Sequence, residues 1–334
     1  MAGGLSYTID DLNTLTQAAI YGKALTDLGT KYPEIVCLTA DLAKSTKVGD
    51  FFAVHPERSF NFGIAEQNMM GAAAGLALAG FKPYISTFGA FAAMRACEQV
   101  RTDFCYPKLN VKIVGTHSGL SMGNGGTTHH ATEDIGIMRT FANMTVVVPA
   151  DGIETAKAII ASVEEHEGPF YMRVGRGFEP PVYETMDYEF KLGKGIQLRE
   201  GNDATIIACG VCVMAAIEAS EEFDAEDGLG VRVINMHTIK PLDKEIILKA
   251  AEETKCIVVA EEHNIYGGLG SAVAEVLAEA GMGIKFKRLG VPDVFSVIGY
   301  PEDLYAHYKI DMAGIYDQLR DLMGMEKKDR EDEH

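Results

Sequence analysis

Apolar runs of strand length alternate with helix-like stretches along most of this chain. Residues 34–39, 111–115, 144–148 and 170–174 each read as a buried strand. The patterns at 12–29, 69–80, 90–104 and 153–165 between them read as helices. Such alternation specifies a mostly parallel sheet with helices on both faces, because each parallel return needs a crossover, usually a helix. The polar run 177–184, with Pro180 and Pro181, interrupts the pattern and reads as a linker. A second alternating unit follows, with strands at 204–208, 231–235, 256–260 and 285–289. Its helices are placed at 213–222, 244–253, 270–280 and 315–323. The fold class is therefore α/β, with two domains over residues 1–180 and 195–324. Residues 181–194 form the linker, and 325–334 a charged, frayed tail. A length of 334 residues fits two domains.

Charge narrows the range of partners. The chain has 48 acidic and 30 basic residues and a net charge of −18, with no basic cluster. Nucleic acid and anionic membrane are excluded as expected partners. The opening residues do not read as a signal peptide, and no run of 18 apolar residues is present, so a cytoplasmic location is expected. Cys209 and Cys212 have CxxC spacing after a strand-like run. They suit either a redox pair or a turn with two buried small residues. No second pair completes a zinc site.

Four features of the first half point to chemistry. Glu66 stands at the mouth of the apolar helix 71–80. A carboxylate in low dielectric can share a proton with a ligand, or it can be a first-turn residue favoured by the helix dipole. Phe88 and Phe91 lie three residues apart and can stack on a flat heteroaromatic ring or fill core. His117 sits just past a strand, where ligand sites of open α/β sheets lie. The glycine-rich loop 123–134 carries His129 and His130 as candidate proton donors.

Together these residues resemble the C-terminal section of transketolase over most of the chain. The motifs are Gly63-Ile64-Ala65-Glu66-Gln67, Ser86-Thr87-Phe88, and Gly126-Thr127-Thr128-His129 with Glu133. The second half adds Thr238-Ile239-Lys240-Pro241, Glu261-Glu262-His263 with Gly267-Gly268, and Gly290-Val291-Pro292-Asp293. The resemblance implies a pyrimidine-binding domain for thiamine diphosphate followed by the transketolase C-terminal domain. The family holds the diphosphate through Mg²⁺ on a Gly-Asp-Gly motif, and this sequence contains none. A split enzyme is implied, in which an N-terminal subunit carries the diphosphate and Mg²⁺ site and this chain alone is inactive. A heterotetramer of two subunits of each kind is expected, with a homodimer when this chain is made alone.

The resemblance also implies roles. Glu66 hydrogen-bonds N1′ of the aminopyrimidine, and Phe88 and Phe91 pack against that ring. His117 and His129 contact sugar hydroxyls, with His129 the proton-transfer candidate. Arg176 and Ser45 bind the phosphate of the sugar phosphate substrates, with Arg173 and Lys44 as alternatives. The implied reaction is two-carbon ketol transfer from a ketose phosphate to an aldose phosphate, as in the pentose phosphate pathway. Three departures stand out: Met94 replaces an aromatic, Gly125 stands where many relatives have aspartate, and residues 13–17 lack an expected arginine. The competing readings are a 2-oxo acid dehydrogenase beta subunit, a fragment of a deoxyxylulose-phosphate synthase, and a non-catalytic assembly subunit. The Gly-Thr-Thr-His-His turn and Ser-Thr-Phe point to transketolase, and retention of Glu66 with its phenylalanines argues against a purely structural role.

Overall fold

The computed structural model describes Ser6, residues 8–177 and residues 179–326. Most of the tail expected at 325–334 lies outside the described residues. Among the described residues, strands form two sheets. The first contains β1 (Ile35–Thr39), β2 (Ser59–Asn61), β3 (Lys82–Phe88), β4 (Lys112–Thr116), β5 (Thr145–Val147) and β6 (Phe170–Arg173). The second contains β7 (Ile196–Arg199), β8 (Ala204–Ala208), β9 (Val231–Asn235), β11 (Cys256–Asn264) and β12 (Lys285–Val291). A short strand, β10 (Thr238–Lys240), crosses over from the second half and pairs antiparallel with β5. The first sheet thus runs β10-β5-β6-β4-β3-β1-β2 and the second β12-β11-β8-β9-β7. All pairs are parallel except β10 with β5 and β7 with β9.

Alternating strand residues face opposite layers, so each sheet is covered twice. In β1, Ile35 and Cys37 join one core cluster and Val36 and Leu38 the other. In β8, Ile206 and Ala208 face a third cluster, while Ile207 joins the cluster that also holds Val36 and Leu38. One apolar core therefore runs continuously between the sheets.

Several expected boundaries move. The helix placed at 12–29 is two helices, Ile9–Thr14 and Gln17–Lys31. Thr16 interrupts the pattern because its hydroxyl accepts from Ala19 N and caps the second helix. The stretch 90–104 is helical but widened, with π-helical turns Phe91–Arg95 and Val100–Cys105 flanking Cys97–Gln99. Strand β3 begins well before the Ser86-Thr87-Phe88 motif, so those residues end a strand. No regular element is found among the described residues between Val174 and Gly195, yet this segment is anchored. The amides of Val182 and Tyr183 donate to Asp151 Oδ2 at 2.8 and 2.9 Å, and the Tyr183 and Tyr188 rings stack at 4.1 Å. No helix among the described residues is long and apolar enough to cross a membrane.

Candidate active site

Parallel strands place their carboxyl ends along one edge of the first sheet, and ligands in such folds bind beyond that edge. Ser45 follows β1, Glu66 follows β2, Phe88 ends β3, His117 follows β4 and Arg176 follows β6. Five segments far apart in sequence thus converge by topology alone.

Phe88 is the hub. Its ring stacks on His117 at 4.2 Å and lies 5.5 Å from Phe91. His129 meets both phenylalanines edge-on, at 6.2 Å from Phe88 and 5.3 Å from Phe91. Glu66 joins through Arg95. The Arg95 guanidinium lies 3.8 Å from the Phe91 ring centre and its Nη1 donates to Glu66 Oε1 at 2.9 Å. Glu66 is only 4% exposed although it begins the helix Glu66–Leu78. Ala65 provides no side-chain cap, so the free amides of the first turn favour a negative charge at this position.

His117 takes a left-handed backbone (φ 55°), which a non-glycine residue adopts only where the surroundings hold it. Thr116 Oγ1 and the Nδ1 of His117 are 3.0 Å apart. Burial pushes its ring pKa down to about 4, and the positive fields of Arg176, Lys47 and His129 push the same way. At neutral pH the ring is therefore uncharged. In a titration followed by NMR, the His117 ring protons are expected to hold one chemical shift from pH 8 to pH 5. A midpoint near pH 6.5, the value of a free histidine, would contradict this.

Arg176 is exposed, with Nη1 on Met122 O at 3.3 Å and its amide on Ser121 Oγ at 3.1 Å. Arg173, the alternative phosphate ligand, is buried and paired elsewhere. Its Nε meets Asp134 Oδ2 at 3.1 Å and its Nη1 meets Glu262 Oε2 at 3.2 Å. Strand alternation explains the difference, since Arg173 lies within β6 and Arg176 beyond its end. Ser45 is half-buried in the turn after β1, and among the described residues no hydrogen bond ties its side chain to the cluster. Lys47, overlooked in the sequence, has a left-handed backbone (φ 64°) in the same turn and adds to the positive field at His117. That turn packs on the helix Gln17–Lys31, where a Cβ on Gly22 would lie 1.8 Å from Lys47 O. Arg95 was also overlooked, because its meeting with Glu66 is tertiary.

The CxxC pair resolves as a turn. Gly210 supplies a positive φ of 58°, and both thiols are buried, which holds their pKa well above the ordinary range. The second-half motif is equally structural. Glu261 accepts from the amides of Leu269 and Gly270, closing the start of the helix Leu269–Glu279. Glu262 accepts from Arg173, Leu120 N and Tyr305. The Nε2 of His263 accepts from Gly136 N at 3.2 Å.

Fold and site together define an α/β enzyme subunit with a buried carboxylate, an aromatic floor and two histidines at one sheet edge. Residues 13–179 match the transketolase pyrimidine-binding domain and residues 193–315 the transketolase C-terminal domain. The chain belongs to the transketolase family, in the form divided between separate subunits, and the family's domains imply thiamine diphosphate. One of the two subunits of an apulose-4-phosphate transketolase from Phocaeicola vulgatus is 42% identical, the match covering 87% of this chain and 92% of that one. A 6-deoxy-6-sulfo-D-fructose transketolase subunit from a Clostridium species is 41% identical, covering 85% and 87%. A solved structure described as a split gene transketolase, inactive beta4 tetramer, superposes with a TM-score of 0.84. It is 44% identical, and the match covers 94% of this chain and 99% of that one.

Proposed function

We propose that this chain supplies the pyrimidine half of the active site of a two-subunit transketolase, opposite an N-terminal subunit that holds the diphosphate through Mg²⁺. The observation that supports this reading best is the buried Glu66 carboxylate in one connected cluster with Phe88, Phe91, His117 and His129. The residues fit an aminopyrimidine. Glu66 Oε1 and the Phe91 face already receive a flat cation that donates an N–H bond at its edge and stacks through its face.

When bound, the cofactor supplies an electron sink for breaking the bond beside a ketose carbonyl. Glu66 holds the proton shared with the ring nitrogen, which a carboxylate does best when shielded from water. Phe88 and Phe91 pack on the ring and exclude water. His117, being neutral, both donates and accepts hydrogen bonds to sugar hydroxyls. His129 is half-buried on the other side of Phe88 and moves a proton to or from the substrate oxygen. Arg176 and Ser45 hold the substrate phosphate, a task to which the guanidinium fork is suited, and Lys47 adds positive field.

The donor is a ketose phosphate and the acceptor an aldose phosphate. The two relatives named for an apulose phosphate and a sulfonated fructose support sugars with an anionic end, the chemistry that Arg176 and Lys47 match. The chain self-associates as a dimer when alone and forms a heterotetramer with its partner. Two-carbon transfer from xylulose 5-phosphate to ribose 5-phosphate, with thiamine diphosphate and Mg²⁺, tests the reading. Activity is expected only when this chain is mixed with the N-terminal subunit. Transfer by this chain alone would overturn it.

A further inference from the structure

We propose that Arg95 is an internal stand-in for the aminopyrimidine ring, closing the half-site until a ligand displaces it. The inference rests on the reading of Glu66 and Phe91 as the receptor of that ring. The same two surfaces hold Arg95: Nη1 donates to Glu66 Oε1 at 2.9 Å, and the guanidinium covers the Phe91 face at 3.8 Å. A guanidinium is planar, cationic and edged with N–H donors, and it stacks on aromatic faces. A protonatable aminopyrimidine presents the same three properties to a carboxylate beside an aromatic ring.

The placement of Arg95 suits displacement. Phe91 and Arg95 are four residues apart in one helical turn and so share a face, while Glu66 comes from the start of a different helix. The pair is asymmetric. Glu66 is 4% exposed on its side chain, whereas Arg95 is 48% exposed and can leave for water without disturbing the core. A ligand that needs Glu66 and Phe91 therefore binds only the fraction of molecules in which Arg95 has swung out, and its apparent affinity falls by that fraction. An ion pair with one exposed partner and a cation–π contact are each modest. The block is accordingly one that a partner subunit, by completing the site, readily overcomes.

The test uses the isolated chain and thiamine, which carries the ring but lacks the diphosphate that belongs to the other subunit. Binding is read by saturation-transfer NMR, with melting temperatures to confirm folding. Arg95→Ala is expected to bind thiamine about fivefold to tenfold more tightly than the unaltered chain. Arg95→Lys keeps the charge but not the flat face and is expected to fall between the two. The gain is expected to vanish in the double variant with Glu66→Ala. If Arg95→Ala binds no more tightly than the unaltered chain, or if its gain survives loss of Glu66, the stand-in is wrong. Failure of the parent reading would look different: Glu66→Ala would then support full transfer activity with the N-terminal subunit.

Discussion

Glu66→Ala, mixed with the N-terminal subunit and saturating cofactor, is expected to lose between about a hundredfold and ten-thousandfold in kcat/KM, the range for a positioned proton-transfer group. The carboxylate is buried and its observed partner is the half-exposed Arg95, so the substitution leaves no buried charge behind. Stability is therefore expected to change by less than about 1 kcal/mol, as for other pairs with an exposed partner. Glu66→Gln keeps the shape and one hydrogen bond but cannot take up the proton. It is expected to fall close to the alanine variant in kcat while retaining more of the cofactor affinity. Full transfer activity in Glu66→Ala would remove the catalytic assignment and leave a subunit that serves assembly alone.

Arg173→Met is expected to act on stability, with a loss of about 3–5 kcal/mol, the cost of removing one partner from a buried ion cluster. Arg173 is 4% exposed between Asp134 and Glu262, which are themselves 0% and 5% exposed. Its Nη2 also donates to Glu262 O at 2.6 Å and to Ala131 O at 3.3 Å. Tyr171 donates to Asp134 at 2.6 Å, and Tyr305 to Glu262 at 2.9 Å. Removing the cation strands two carboxylates away from water. Burial already raises the pKa of Glu262, and without Arg173 that rise grows. A carboxyl whose folded pKa lies above its unfolded value loses stabilisation as pH rises. The variant should therefore recover part of its deficit on acidification from pH 8 to pH 5, relative to the unaltered chain. Equal melting temperatures for the two proteins across that range would contradict the clustered-charge account.

Elements with a long, regular pattern were legible in the sequence. The helix at 244–253 has the expected bounds, because Asp243 caps it and its apolar residues recur with helical period. Strands β2 and β10 were not, since three residues carry too little pattern to show a period. The convergence of Glu66, Phe88, Phe91, His117 and His129 was legible because each carries a motif at the end of a strand or the start of a helix. Arg95 and Lys47 were not, since their neighbours are set by a widened helical turn and a left-handed turn that no composition signals. The choice between Arg173 and Arg176 needed the sheet itself, because three residues along a strand turn a surface ligand into a buried strut.

The antiparallel strand Thr238–Lys240 closes the edge of the first sheet from the far side of the chain. While the protein is being synthesised, β5 leaves the ribosome long before that strand exists. Its outer row of amides and carbonyls stays unpaired until much of the second sheet has emerged, and an unpaired edge invites pairing with other chains. The nascent first half is thus a sticky, unfinished fold that the late-arriving strand makes safe, and the two halves form one unit of biogenesis although they contain two sheets.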